Sequence, residues 1–402
     1  MQGARWGVVR RLFRDLPRDI AVLTGVAFAV AVGFGVVAPA LPVFAREFGV
    51  GRTAAGAVIS MFAFMRLISA FGGGRLVDRF GERRVLAAGI AIVAVSSALT
   101  GLSQSYLQLL GLRAFGGIGS AMFTVSAVSL VLRTAPAHLR GRATGLFQSG
   151  FLIGGIAGPG IGGLLADVSL RAPFFLYAGT LAVAGTIGLF LLSGEAAQSP
   201  DTGAGPPQRT GLRTALRNPA YRTALVANFG SGWTLFGVRS SLIPLFVLEG
   251  VHRGTVWVGA GFVVSSAAQA ALLLPAGRLA DTAGRRPALL LGGGLAAASM
   301  LLITVSSSLA AYLVAMLAFG VGSAFLGVAP GAIVGDVVVG RGGTVVAVFQ
   351  MAADLGAVVG PLLAGQLADR YSFAAAFGAT AGVLTLGVLM ALAMPESRVR
   401  QP

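Results

Sequence analysis

The 402-residue chain contains no cysteine. That excludes a disulfide, a thiolate metal site and a cysteine nucleophile. Its two histidines, His138 and His252, both fall near expected loops, so there is no histidine cluster to hold a metal. Charge is scarce as well: 11% of the residues are Asp, Glu, Lys or Arg, against about 25% in a soluble domain. Lysine is missing altogether, and all 30 basic residues are arginine. A phosphate-binding loop of the Gly-x-x-x-x-Gly-Lys type is therefore absent, and nothing points to direct use of ATP. What fills the chain instead is apolar: 55% of the residues, with a mean hydropathy of +0.84. Lipid is the solvent for most of such a chain. The formal charge of +16 does not indicate a nucleic-acid partner, because the arginines sit in loops between apolar runs.

Apolar runs of about 20 residues predict membrane-spanning helices. Twelve are expected, near 20–45, 53–77, 84–102, 107–132, 141–166, 172–193, 221–248, 255–279, 286–306, 309–336, 342–367 and 372–394. The stretch 194–219 is rich in Gly, Pro, Ser and Thr and reads as a cytoplasmic linker between two bundles, 1–193 and 220–402. Within it Arg209, Arg213 and Arg217 recur at helical spacing and are expected on the membrane surface. The first apolar run is too long for a signal peptide and is expected to be retained. With an even number of spans both termini share one side. If that side is the cytoplasm, 22 arginines fall in inner segments and 5 in outer loops, a bias that places both termini inside.

The chain is a duplicated unit. Gly74–Leu86, GRLVDRFGERRVL, returns at Gly277–Leu289 as GRLADTAGRRPAL, with an offset of 277 − 74 = 203 residues. Phe34–Gly35 and Pro42 align with Phe236–Gly237 and Pro244 at an offset of 202, as do Gln148, Gly154, Gly158, Pro159 and Gly163 with Gln350, Gly356, Gly360, Pro361 and Gly365. Each copy of the thirteen-residue stretch is expected to be a short polar loop between two spans. Gly74 and Gly81 allow a tight turn and close backbone approach, and Asp78 is an anion placed to meet a helix N-terminus. The simpler reading is a topology signal carried by Arg79, Arg83 and Arg84.

This stretch resembles the signature loop of the major facilitator superfamily of secondary transporters, G-x-L-x-D-R-x-G-R-K. The first copy matches Gly74, Leu76, Asp78, Arg79, Gly81 and Arg83, with Glu82 where the pattern has a base. The second matches Gly277, Leu279, Asp281, Gly284, Arg285 and Arg286, with Thr282 in place of the first Arg. The resemblance implies an all-α membrane protein of twelve transmembrane helices in two pseudo-symmetric six-helix bundles. It also implies that these loops latch the cytoplasmic side of one half against the other. Span 5 carries Gly154, Gly158, Pro159, Gly162 and Gly163, which resemble the motif of the drug/proton antiporter group. Arg113 in span 4 resembles a second motif, linked in those antiporters to proton coupling; the alternative is an arginine reaching for the outer headgroups. Pro39 and Pro42 at the end of span 1 resemble a third, and equally read as a plain helix stop.

Charges inside spans are costly and usually face the bundle interior. Arg66 in span 2, Arg239 in span 7 and Asp354 in span 11 are of this kind, and the repeat positions of the last two hold Val37 and Leu152. Asp167, Asp336 and Asp369 sit near span ends and are expected to face loops. Asp354 is the proton-site candidate, with Arg66 and Arg113. The resemblance implies that spans 2 and 11 meet across the bundle interface, where Arg66 and Asp354, at similar depth, are expected to pair, either as a proton switch or as a static clamp. Arg239, Phe34, Trp233, Phe236 and Phe349 are candidates for lining a substrate cavity, with packing in the core or against lipid as the plain alternative for the aromatics.

The expected function is alternating-access transport, as a proton-coupled exporter of small, partly apolar organic compounds. An importer of sugars or metabolites, and a non-transporting receptor or assembly factor on the same fold, are the alternatives. No cofactor and no enzymatic site is expected. The expected partners are a small-molecule substrate, protons and the lipid bilayer, for a monomer in the plasma membrane.

Overall fold

A computed structural model describes residues 16–136, 139–192, 211–338 and 343–397, apart from the side chains of 71, 73, 74, 140, 141 and 343. Gly74, one of the expected loop residues, is thus in a helix whose backbone alone is described there. Residues 194–210 of the expected linker, Arg209 among them, lie outside the described residues; Leu212–Arg217 is a short helix.

Among the described residues, twelve helices are long and apolar enough to cross a membrane. Numbered as the spans, α1 is Arg18–Val37, α2 Arg52–Phe80, α3 Glu82–Gly101, α4 Tyr106–Thr134, α5 Arg140–Val168 and α6 Ala172–Leu191. The second set is α7 Pro219–Glu249, α8 Thr255–Thr282, α9 Arg285–Val305, α10 Leu309–Val337, α11 Gly343–Arg370 and α12 Phe373–Ala393. Serine hydroxyls start three of them. Ser105, Ser308 and Ser372 accept the N–H of Gln108, Ala311 and Ala375, at 3.3, 3.2 and 3.1 Å. Each meets a backbone donor that its helix leaves unpaired.

The expected loop Gly74–Leu86 is a correction. Most of it is helix: α2 runs to Phe80, α3 begins at Glu82, and Gly81 alone makes the turn. Its φ of +80° is open to glycine at little cost. Gly284, with φ +119°, does the same work before α9. α7 is the irregular span. Its α-helix Pro219–Ser231 passes into a π-helical segment, Gly232–Val238, before Arg239–Ser241 and Ile243–Glu249 complete the crossing. The repeat of that segment in α1 is regular α-helix.

Two apolar cores result. One draws on residues between Ile20 and Leu192, together with Leu245; the other lies between Ala215 and Met394. Within each half the glycine-rich helix packs on the first span of that half. Gly150, Gly154, Gly158 and Gly162 of α5 lie so close to the α1 backbone at Thr24, Phe28, Val32 and Val36 that a Cβ would overlap their carbonyl oxygens. Gly356 and Gly360 of α11 meet Phe229 and Trp233 of α7 in the same way. Apolar side chains gain little by leaving lipid for one another, so close backbone approach of this kind supplies the attraction.

Gly158→Leu should therefore drive α1 and α5 apart. Overpacking of this sort costs on the order of 1–3 kcal/mol or more, so the purified variant should melt several degrees lower. Gly155→Leu is the control, since a Cβ there meets nothing within 4 Å; it should melt like the parent.

Candidate functional site

The two halves meet through α2 against α11 and α5 against α8. The loops that join α1 to α2, α5 to α6, α7 to α8 and α11 to α12 lie at one end, called distal here; the signature turns lie at the other. At the distal end the Asp369 carboxylate of α11 accepts the backbone N–H groups of Arg52 and Thr53 at 2.9 and 2.8 Å and the Thr53 hydroxyl at 2.7 Å. A carboxylate from one half thus caps the N-terminus of a helix in the other, where the dipole favours negative charge.

An Asp–Thr contact recurs at the other helix pair, there through the hydroxyl. The Thr255 hydroxyl of α8 lies 3.3 Å from the Asp167 carboxylate and 3.2 Å from the Gly163 carbonyl, both on α5. The partners are repeat-related: 369 − 167 = 202 and 255 − 53 = 202. Arg52 reinforces the first pair. Its guanidinium reaches Glu249 at 2.6 Å and the Ala368 carbonyl at 2.9 Å, and stacks 4.4 Å from the centre of the Phe373 ring. Arg46 joins Glu249 at 3.3 Å. Asp167 and Asp369, expected to face loops, are therefore interface residues. The repetition of an Asp and a Thr at one offset was a signal available in the sequence; the partnership of Arg52 with Glu249 had none.

Further in, Ser60 of α2 donates to the Val358 carbonyl of α11 at 2.6 Å. Pro159 lies between Gly35 of its own half and Gly259 of the other, and Pro361 between Gly237 and Gly56. Gly163 faces Gly259 across the α5–α8 seam, whereas Gly154, Gly158 and Gly162 face α1. At mid-span the guanidinium of Arg66 pairs with the carboxylate of Asp354, bringing together the two charges expected to meet. Their side chains keep 32% and 21% of their exposure.

Among the described residues, two other intramembrane arginines have no carboxylate partner. Arg113 is buried, with its guanidinium 4.4 Å from the centre of the Phe62 ring and its Nε without a partner. Arg239 directly follows the π-helical segment. It lies 4.4 Å from the Phe262 ring centre, donates to the Phe262 carbonyl and the Ser266 hydroxyl at 3.1 Å each, and leaves its buried Nε unpaired. Among the aromatic candidates, Phe34 and Phe236 stay exposed. Trp233 is buried, and its indole N–H donates to the Thr380 hydroxyl at 3.2 Å, which sets it in the core of the second half. Phe349 is half-buried against that core, and its carbonyl accepts from Asn228 at 2.7 Å.

At the signature end, Asp78 is exposed and makes no hydrogen bond or ion pair among the described residues. Arg79 lies 5.3 Å from the Phe80 ring centre, and Arg83 donates to the Leu189 carbonyl of its own half. Arg285 binds Asp281 at 2.6 Å and Asp336 at 3.0 Å, and the backbone N–H groups of Arg285 and Arg286 donate to Glu396. Gly277 sits in α8 with open surroundings. Among the described residues the cross-half latch expected of Asp78 is not made in this conformation, whereas the distal end is fastened.

A sequence model described as Major Facilitator Superfamily matches residues 23–265 and 254–402. The chain belongs to the major facilitator superfamily. Multidrug resistance protein 1 of Bacillus subtilis is 31% identical over 230 residues, 57% of this chain and 58% of that protein. Quinolone resistance protein NorA of Staphylococcus aureus is 30% identical over 166 residues, 41% of this chain and 42% of that protein. The matches thus span about half the length of these curated relatives. Among solved structures, a bacterial homolog of the human lysosomal transporter Spinster, in an inward-facing and unoccupied conformation, aligns with a TM-score of 0.73 at 16% identity, covering 93% of this chain and 95% of that one. The nucleoside transporter NupG aligns at 0.75 and 13% identity, covering 93% and 99%. These likenesses show the superfamily's fold, and with the twelve apolar helices they make the chain an integral membrane protein.

The geometry explains the one acidic departure from the superfamily signature. Glu82 pairs with Arg133, at the end of α4, at 3.0 Å. The repeat positions are Arg285 and Asp336, since 285 − 82 = 203 and 336 − 133 = 203, and they form the same bridge with the charges exchanged. Glu82→Arg should put two cations together and lower stability by about 1 kcal/mol. Adding Arg133→Asp should recover most of that loss. Additive losses in a thermal-melt double-mutant cycle would show that the two residues do not interact.

Proposed function

We propose that the chain is a secondary transporter that works by alternating access and exports small, partly apolar organic compounds against proton entry. The observation that carries this reading is the Arg66–Asp354 pair, a cation and an acid on helices of different halves, at mid-span, beside a fastened distal end. A membrane protein keeps such charges inside its spans at a cost, and they mark ion and substrate pathways. The arginine bias supports placing the signature end and both termini in the cytoplasm, so that this conformation is open inward. The multidrug and quinolone resistance relatives support export. A monomer of two six-helix bundles, 1–193 and 220–402 joined by 194–219, is the unit that this cycle requires.

The steps follow from charge. With the halves fastened distally, the Arg66 guanidinium occupies the Asp354 carboxylate as its ion-pair partner. When the halves rock and α2 parts from α11, the guanidinium withdraws and the carboxylate takes a proton. Fastening the distal end again returns Arg66 and expels the proton inward. Arg113 lies off this route, against Phe62, and serves to set the position of α4 on α2.

Asp354→Asn tests the assignment. In proteoliposomes with an imposed pH gradient, gradient-driven transport should fall at least tenfold, while exchange of substrate without a gradient persists. Gradient-driven transport at parental rates in the variant would leave the pair as a static clamp between the halves.

A further inference from the structure

We propose that Arg239 holds the anionic head of the transported compound, so that the substrate class is amphiphilic organic carboxylates rather than lipophilic cations. This rests on the transport reading above and goes on from it to the chemistry of the cargo.

Charge balance in the membrane interior comes first. Away from the span ends the described residues hold three arginines, Arg66, Arg113 and Arg239, and one acid, Asp354. Arg66 takes the acid. The remaining charge is positive on both halves, with no resident carboxylate to balance it. A site built for a lipophilic cation needs the opposite sign, because a cation brought near unpaired guanidinium groups is repelled in a medium of low dielectric.

Of the two free cations, Arg239 has the fittings of a binding group. Its bonds go to neutral acceptors, one carbonyl and one hydroxyl, and its Nε has no partner. A guanidinium presents donors in a planar fork that matches a carboxylate. Stacking on Phe262 fixes the plane of that fork in advance. The π-helical segment Gly232–Val238 delivers Arg239 to this place. Segments of that kind are rare and occur mostly at functional sites. The first half has neither feature, since regular helix leads there to Val37. Scaffold shared by both halves would have left the pair alike. Phe236, three residues before Arg239, is 46% exposed and offers an apolar face for the rest of the ligand.

A head-group series tests the assignment on the full-length chain. The probes are 1-naphthaleneacetate, its neutral amide 1-naphthaleneacetamide and the cation 1-naphthylmethylammonium, with sodium chloride as the inorganic anion. Binding is read by calorimetry in detergent, and transport by counterflow in proteoliposomes. The parental protein should bind the carboxylate at least tenfold more tightly than the amide or the ammonium, and should not be saturated by chloride. Arg239→Gln should erase the preference while keeping the weak binding of the amide, and Arg239→Lys should restore part of it.

Equal or tighter binding of the ammonium or the amide by the parental protein would overturn the inference without recourse to any variant, as would a carboxylate preference that survives in Arg239→Gln. Chloride competing with the acetate at equal concentration would reassign the site to an inorganic anion and overturn it too. Counterflow of the ammonium alone would keep the transport reading and sink this inference. Carboxylate-selective binding lost in Arg239→Gln, with no counterflow of any probe, would uphold the anion site and remove the transport reading.

Discussion

The first turn of a helix presents backbone N–H groups that its own hydrogen bonding leaves empty. In this protein two such groups, at the start of α2, are filled by Asp369 from the other half. The capped helix, the threonine hydroxyl beside it and the Arg52–Glu249 bridge hold the distal ends together. Asp369 fastens α2 to α11, and Asp167 with Thr255 fastens α5 to α8. α2 and α11 are held in line, so Arg66 reaches Asp354; α5 and α8 are held in line, so Gly163 can face Gly259. The contacts are polar and lie at the ends of the spans. That is the kind of fastening that can be undone and remade at modest cost, unlike the glycine seams inside each half.

The duplicated plan separates scaffold from specialisation. Features present in both halves are structural: serine caps on α4 and α10, glycine seams of α5 on α1 and of α11 on α7, and an Asp–Thr contact at each helix pair. The Glu82–Arg133 and Arg285–Asp336 bridges belong with them, because exchanging the signs keeps the same attraction. Features present in one half are where the two copies have diverged in chemistry: Asp354 opposite Leu152, Arg239 opposite Val37, and the π-helical segment opposite regular helix.

Much of this was legible in the sequence. Twelve spans, the repeat offset and the turn at Gly81 follow from hydropathy, self-similarity and glycine chemistry; the meeting of Arg66 with Asp354 followed from the cost of buried charge together with the superfamily resemblance that sets span 2 against span 11. The thirteen-residue signature was misread as a loop, because its arginines and aspartate look polar, yet a helix that emerges from lipid keeps turning until a residue such as Gly81 breaks it. Asp167 and Asp369 were misread as loop-facing because a carboxylate at a helix C-terminus has no use within its own half. Its partners lie on the N-termini of the opposite half, which no local pattern reveals. The π-helical segment leaves no mark in composition: GWTLFGV would serve in any apolar helix, and its contact with α11, closest at Gly232 against the Ala353 carbonyl, joins residues far apart in the chain.

The account stands on the two ends of the interface opening in alternation, with the Asp369 cap holding the present state. The chain has no native cysteine, so spin labels can be placed at will: one pair at Glu47→Cys with Arg253→Cys across the distal end, another at Arg75→Cys with Val346→Cys across the signature end. Distance distributions by electron double resonance, with and without Asp369→Ala, make the most direct test. The account predicts that Asp369→Ala lengthens the distal distance and shortens the signature distance in the same molecules. Distal opening with an unchanged signature distance, or no change in either, would contradict it.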